Sequence, residues 1–226
     1  MIQSVLFDLD GTLLDRDSSV LHFIHNQYDR LYQHFPHVQK ESFTQRFVKL
    51  DDGGYVWKDK VYQQLAQEFS ITSISWNEFL HDYLQHFKFS CKGFDGLHKM
   101  LSELLRRDIK MGIITNGFTD FQLGNIEALD ITSYFQSILV SEQEGVRKPE
   151  PAIFKRALSR MQTDPSQSVF VGDHPVNDIK AAKDLGMTSV WVNNKHFSEI
   201  AEADYTIDNL LELPSLITHL NTSKLG

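Results

Sequence analysis

Residues 2–12 read I-Q-S-V-L-F-D-L-D-G-T. A short apolar run, residues 2–9, ends in Asp8, Asp10, Gly11 and Thr12. That is the pattern of a buried strand feeding a tight turn. Two carboxylates two positions apart at a strand end reach one site if the chain turns between them. One can then attack as a nucleophile while the other moves protons. Gly11 lets the backbone turn and come close to an oxyanion, and its N–H is expected to donate there. A lone D-x-D would be read as a solvated acidic loop. The apolar strand before it and the Gly-Thr after it tell against that.

Working outward, the same strand pattern returns at residues 109–115, 136–140, 168–172 and 188–192, with 204–207 expected as a last edge strand. Helical spacing separates these runs. Leu97, Leu101, Leu104 and Leu105 precede the second strand; Ile153, Phe154, Ala157, Leu158 and Met161 precede the run at 168–172; Ile179, Ala182 and Leu185 follow it. Strand alternating with helix predicts a doubly wound α/β core with a mostly parallel sheet, and functional groups at the carboxyl ends of its strands.

Residues 15–90 break that rhythm. Leu21, Ile24, Tyr28 and Leu31, then Val61, Leu65 and Phe69, then Phe79, Tyr83 and Phe87 recur at helical spacing, and no strand pattern intervenes. The expectation is a bundle of about four helices inserted after the first strand. The chain would divide into an α/β core, residues 1–14 and 92–226, and a helical insert, residues 15–91, returning through Cys91-Lys92-Gly93. The turn Asp51-Asp52-Gly53-Gly54 leads into Tyr55, Trp57 and Lys58. Rings beside a cation can hold a phosphorylated small molecule. Burial of Tyr55 or Trp57 inside the insert is the competing reading.

Composition narrows the function classes. The chain has 226 residues, 41% hydrophobic and 23% charged, and a formal charge of −8. Such a surface does not attract nucleic acid polymers or anionic membranes, so a phosphorylated substrate must be held by a local cluster. The single cysteine, Cys91, permits no internal disulfide and is expected to be a packing residue of a reducing compartment. No run approaches the ~20 apolar residues of a membrane helix. A cytoplasmic protein, monomer or homodimer, is expected. His22 and His25, His34 and His37, and His81 and His86 lack the carboxylates or cysteines that would complete a metal site.

Three more motifs fall at predicted strand ends. Thr115-Asn116-Gly117 offers a hydroxyl, an amide and a flexible backbone to a phosphoryl oxygen, although alone it reads equally as a helix cap. In Arg147-Lys148-Pro149 a lysine precedes a proline that is expected to open a helix, a place that favours anions. Gly172-Asp173-His174-Pro175-Val176-Asn177-Asp178 adds two carboxylates to Asp8, hard oxygen ligands suited to Mg²⁺. His174 follows Asp173 directly but has no role assigned by its type.

The order of these four motifs, with the helical insert after the first, resembles the haloacid dehalogenase-like superfamily of hydrolases from end to end. The insert looks like that family's helical cap. The resemblance implies that Asp8 is the nucleophile forming an aspartyl-phosphate, and that Asp10 is the general acid and then the base. It implies that Thr115 and Asn116 bind the phosphoryl group while Lys148 neutralises charge on it and on Asp8. Mg²⁺ would be held by Asp8, the Asp10 carbonyl and Asp173, with Asp178 supporting directly or from behind. Asp10 also separates branches of the family, because attack at carbon by a dehalogenase needs no acid for the leaving group. The activity implied is hydrolysis of a small phosphate monoester: a sugar phosphate, phosphoglycolate or nucleoside monophosphate. A phosphomutase of the β-phosphoglucomutase kind shares every motif, and a non-catalytic binding protein of the same fold is the remaining alternative.

Overall fold

The computed structural model describes residues 1–193, 196–197 and 202–223. Six parallel strands form one sheet: β1 (Ser4–Phe7), β2 (Lys110–Thr115), β3 (Ser137–Val140), β4 (Ser168–Gly172), β5 (Thr188–Val192) and β6 (Tyr205–Ile207). Their order is β3-β2-β1-β4-β5-β6, the doubly wound α/β arrangement expected from the alternation. The chain leaves β1 towards one edge and later returns to lay β4 on the other side of β1. The crevice at the carboxyl ends of β1 and β4 is therefore the switch point where such sheets place their ligands. In register, Phe7 pairs with Ile113 on one side and Val171 on the other.

The central strands are apolar on both faces because helices cover both. Helix α8 (Pro151–Met161) lies on β2 and β3 and buries Ile153, Phe154, Ala157, Leu158 and Met161. These side chains share a core with Leu6, Ile114, Leu139 and Phe170. The rings of Phe154 and Phe170 lie 5.1 Å apart. Truncating a side chain at the centre of such a core costs on the order of 3–5 kcal/mol.

Two local expectations change. The first strand was expected to reach Leu9 but ends at Phe7. The N–H groups of Thr12, Leu13 and Leu14 all point at the Leu9 carbonyl, so the chain closes into a turn there. Pro149 does not open a helix. Residues 147–150 form a turn, with Glu150 N–H donating to the Arg147 carbonyl at 2.8 Å, and α8 starts two residues later with Glu150 as its cap.

The chain forms two compact units, Met1–Asp15 with Gly93–Gly226, and Arg16–Lys92. The second is all helical: α1 (Arg16–Leu31), α2 (Lys40–Asp51), α3 (Lys58–Glu68) and α4 (Trp76–His86), joined by short turns. Its core is aromatic. Phe35 stacks on Phe43 at 5.1 Å and Tyr62 on Phe79 at 5.5 Å. Gln27 is wholly buried there and fully paired: its amide donates to the Phe79 carbonyl and to Asp82, and it accepts from the Tyr62 hydroxyl. Helix α4 begins with a reciprocal capping box between Ser75 and Glu78. Tyr55 and Trp57 are not buried; they are 57% and 63% exposed. Lys58 is instead paired with the buried Asp51, which also holds Arg16 at 2.8 Å.

Candidate active site

Asp8 follows β1 directly, and its N–H continues the ladder by donating to the Val171 carbonyl at 2.9 Å. That bond fixes the Asp8 side chain at the carboxyl ends of β1 and β4. Lys148 reaches it from the turn before α8. Its Nζ donates to Asp8 Oδ1 at 2.6 Å and to Asp178 Oδ1 at 2.7 Å. The other Asp178 oxygen accepts the His174 N–H at 3.0 Å. Asp178 has no solvent exposure and Lys148 only 3%.

Charge balance within this cluster sets the protonation states. Burial pushes the Asp8 carboxyl up to about 7; Lys148 offsets part of that, while Asp178 and Asp10 add to it. Burial alone would lower the Lys148 ammonium. Asp178 and Asp8 outweigh it and hold Lys148 well above its ordinary value, so it is a fixed cation. Oxygens of Asp8, Asp173 and Asp178 all lie within 4.8 Å of one another. Three carboxylates against one ammonium leave the cluster short of positive charge, and hard oxygen donors of this kind suit a divalent cation such as Mg²⁺. Both oxygens of Asp178 are already engaged, one by Lys148 and one by His174, so it is placed to support the cluster from behind.

Two glycines permit this packing. Gly11 has φ +80°, and a Cβ there would overlap Asp173 Oδ2. Its N–H is spent on the Leu14 carbonyl at 2.9 Å, so the expected donation to a phosphoryl oxygen gives way to a spatial role. A Cβ on Gly172 would lie 2.5 Å from Asp178 Cβ, so that residue lets Asp178 sit under the strand end.

After β4 the chain winds from Pro175 to Lys180 as a wide π-type turn before α9 (Ala181–Asp184). The Ile179 N–H bonds the His174 carbonyl, a five-residue step that occurs often at functional sites. His174 caps this turn: its Nδ1 accepts from the N–H groups of Val176 and Asn177, both at 3.1 Å. Burial lowers its pKa, opposed in part by Asp178. The neutral ring is the form that accepts both bonds.

The loop after β2 carries the remaining predicted residues. Asn116 ties its side chain to the turn that carries Lys148. Its amide donates to the Lys148 carbonyl at 3.0 Å and its oxygen accepts the Lys148 N–H at 2.9 Å. The carboxamide therefore holds the lysine's backbone and keeps a second N–H beyond these two bonds. Thr115 ends β2, and its hydroxyl oxygen accepts from Gln122 Nε2 at 2.5 Å. The same Nε2 donates to Asp10 Oδ2 at 2.8 Å. Gln122 sits on α6 (Thr119–Ala128), 2% exposed, and was not singled out from the sequence. Ser141 and Glu142, which begin α7 (Ser141–Glu144), pin the loop by accepting the N–H groups of Gly117 and Thr119. Asp8, Lys148, Asp173 and Asp178 thus form one cluster, while Asp10 and Thr115 are joined through Gln122.

Comparison with known proteins places this arrangement. Glyceraldehyde 3-phosphate phosphatase of Pyrococcus furiosus is 27% identical, covering 98% of this chain and 95% of that protein. Ribulose-1,5-bisphosphate 5-phosphatase of Halopiger xanaduensis is also 27% identical, over 96% of this chain and all of that one. Among solved structures, the HAD phosphatase of Thermococcus onnurineus superposes with a TM-score of 0.67 at 26% identity, over 96% of this chain and 98% of that one. A 2-haloacid dehalogenase of Pseudomonas syringae gives 0.66 at 28%, over 97% and 100%. The model of the haloacid dehalogenase-like hydrolases matches residues 5–192, from β1 through β5, and the chain belongs to that family.

Proposed function

We propose that the chain is a Mg²⁺-dependent phosphatase of small phosphorylated metabolites, working through a phosphoaspartyl intermediate on Asp8. The observation that carries this reading is the buried Asp8 carboxylate, fixed by Lys148, with Asp10 two residues away on the same turn. Full-length relatives named as phosphatases support it. Mg²⁺ would be held by Asp8, Asp173 and the Asp10 carbonyl, and when bound it would supply positive charge to offset the repulsion between carboxylate and phosphate. Asp8 attacks phosphorus as the ester P–O bond breaks, and Asp10 gives its proton to the leaving oxygen. Asp10, now a carboxylate, takes a proton from water, which attacks phosphorus and releases phosphate and free Asp8. Lys148 carries positive charge throughout, and the Thr115 hydroxyl orients the phosphoryl oxygens.

A dehalogenase reading has the Pseudomonas relative in its favour, but the Asp10 acid is of no use to attack at carbon. The test is phosphate release from a panel of phosphorylated metabolites and an aryl phosphate, with Mg²⁺ or chelator, for wild type and Asp8→Asn. Chloride release from 2-chloropropionate is measured alongside. Mg²⁺-dependent phosphate release lost in Asp8→Asn is expected. Halide release would overturn the reading in favour of the dehalogenase. Isomerised sugar phosphate without free phosphate would overturn it in favour of the mutase.

A further inference from the structure

We infer that Gln122 is a positioning residue that sets which oxygen of Asp10 carries the transferable proton and which way the Thr115 hydroxyl points. The inference rests on the reading of Asp10 as general acid. Gln122 Nε2 lies 2.8 Å from Asp10 Oδ2 and 2.5 Å from Thr115 Oγ1. A carboxamide nitrogen carries two N–H donors and no acceptor, so one proton goes to each oxygen. Gln122 Oε1 accepts from Asn125 Nδ2 at 3.4 Å, which holds the amide in this orientation. Gly117 lies against the aliphatic part of the same side chain, where a Cβ would come within 2.8 Å of Gln122 Cγ.

Two consequences follow from the donor arrangement. Asp10 Oδ2 is held as an acceptor, so the acid proton rides on Oδ1, the oxygen that Gln122 does not touch. During phosphoryl transfer the Asp10 Oδ1–H bond breaks and its proton joins the departing ester oxygen. The electron pair left on Oδ1 makes the carboxylate that later deprotonates water. Thr115 Oγ1 is likewise held as an acceptor, so its own hydrogen is turned away from Gln122 and is available to a phosphoryl oxygen. One buried amide thus registers the acid and a phosphate donor to each other, although they stand on separate strand ends.

A residue that only supports the fold would slow all substrates alike. A residue that aims the acid matters most where the leaving group needs a proton. The experiment compares kcat/KM for an alkyl phosphate monoester and for 2,4-dinitrophenyl phosphate, in wild type, Gln122→Met, Gln122→Asn and Asp10→Asn, with melting curves for each. Gln122→Met keeps chain length and lacks both donors. It should lower kcat/KM for the alkyl ester on the order of 10–100-fold, since positioned acids contribute about 10²–10⁴-fold, and change the dinitrophenyl ester far less. Gln122→Asn keeps the amide but is too short to span both partners; it should show the same bias, and it carries the test if Gln122→Met fails to fold. Equal losses on both substrates in the folded Gln122 variants, with the bias present in Asp10→Asn, would overturn the aiming of Asp10 by Gln122, since a misturned Thr115 hydroxyl slows both esters alike. Absence of the bias in Asp10→Asn would overturn the acid itself, and this inference with it.

Discussion

Asp8 carries a conflict between stability and use. Its carboxyl is raised to about 7 chiefly by burial, so between pH 4 and 7 the folded chain holds a proton that the unfolded chain has lost. Stability contributed by that group is therefore present at low pH and is lost as pH rises towards 7. Asp8→Asn removes the charge while leaving Lys148 paired with Asp178. Without divalent cation, the variant should melt at a higher temperature than wild type at pH 8, with the gap closing towards pH 5. Saturating Mg²⁺ should shrink or reverse the gap by stabilising the wild type through binding. A wild type more stable than Asp8→Asn at pH 8 in chelator would show that Lys148 outweighs burial. At this scale the sequence disclosed the charged residues and little of their wiring. Asp8, Lys148 and Asp173 stand at strand ends or before a proline, where residue type and position speak together. Asn116 is read as a substrate ligand from its type; that its amide also bonds a backbone 32 positions away depends on the fold. Gln122 was invisible because a glutamine carries no meaning until the fold sets a carboxylate and a hydroxyl against it.

Among elements, the ones that were legible are those whose buried face is apolar. All six strands and helix α8 follow that rule, and α8 buries the five positions its spacing marks. Helix α6 does not. Its buried positions are Gln122, Asn125 and Ile126, two amides for one aliphatic side chain, so its pattern carries no helical stripe. The turn after β4 was legible as an acidic helix start but not as a π-type turn, because that geometry depends on bonds between main-chain groups. His174 holds that turn by accepting two N–H groups. His174→Ala should cost about 1 kcal/mol, the usual loss of a side-chain cap, and His174→Asn, which can still accept, should recover most of it. Because burial lowers the His174 pKa, its share of stability is present above the ordinary histidine range and is lost as pH falls below it. Urea unfolding at pH 7.5 and 5.5 checks both points. A His174→Ala protein as stable as wild type at pH 7.5 would remove the cap from the account.

For the whole molecule, a net charge of −8 and a site built on four acids are poor equipment for binding a dianion. Lys148 is the cation bonded to Asp8, and its charge is already shared between Asp8 and Asp178. Affinity for the transferred phosphoryl group is therefore expected to be weak without Mg²⁺, and selection among metabolites must draw on contacts with the rest of the substrate. The helical unit Arg16–Lys92 is where we expect that selection to be made. Tyr55 and Trp57 follow a turn with three positive-φ residues, Asp52, Gly53 and Gly54, and both are more than half exposed. Exposed aromatic area on a short turn is suited to recognition of a substrate, and that is the role we expect of it. Lys58 is the less informative neighbour to change, since its loss also disturbs the buried Asp51. Tyr55→Ala and Trp57→Ala should reorder KM values across a metabolite panel while leaving kcat on a small aryl phosphate near wild type. The same order of preference and the same KM values in both variants would move selection away from this turn.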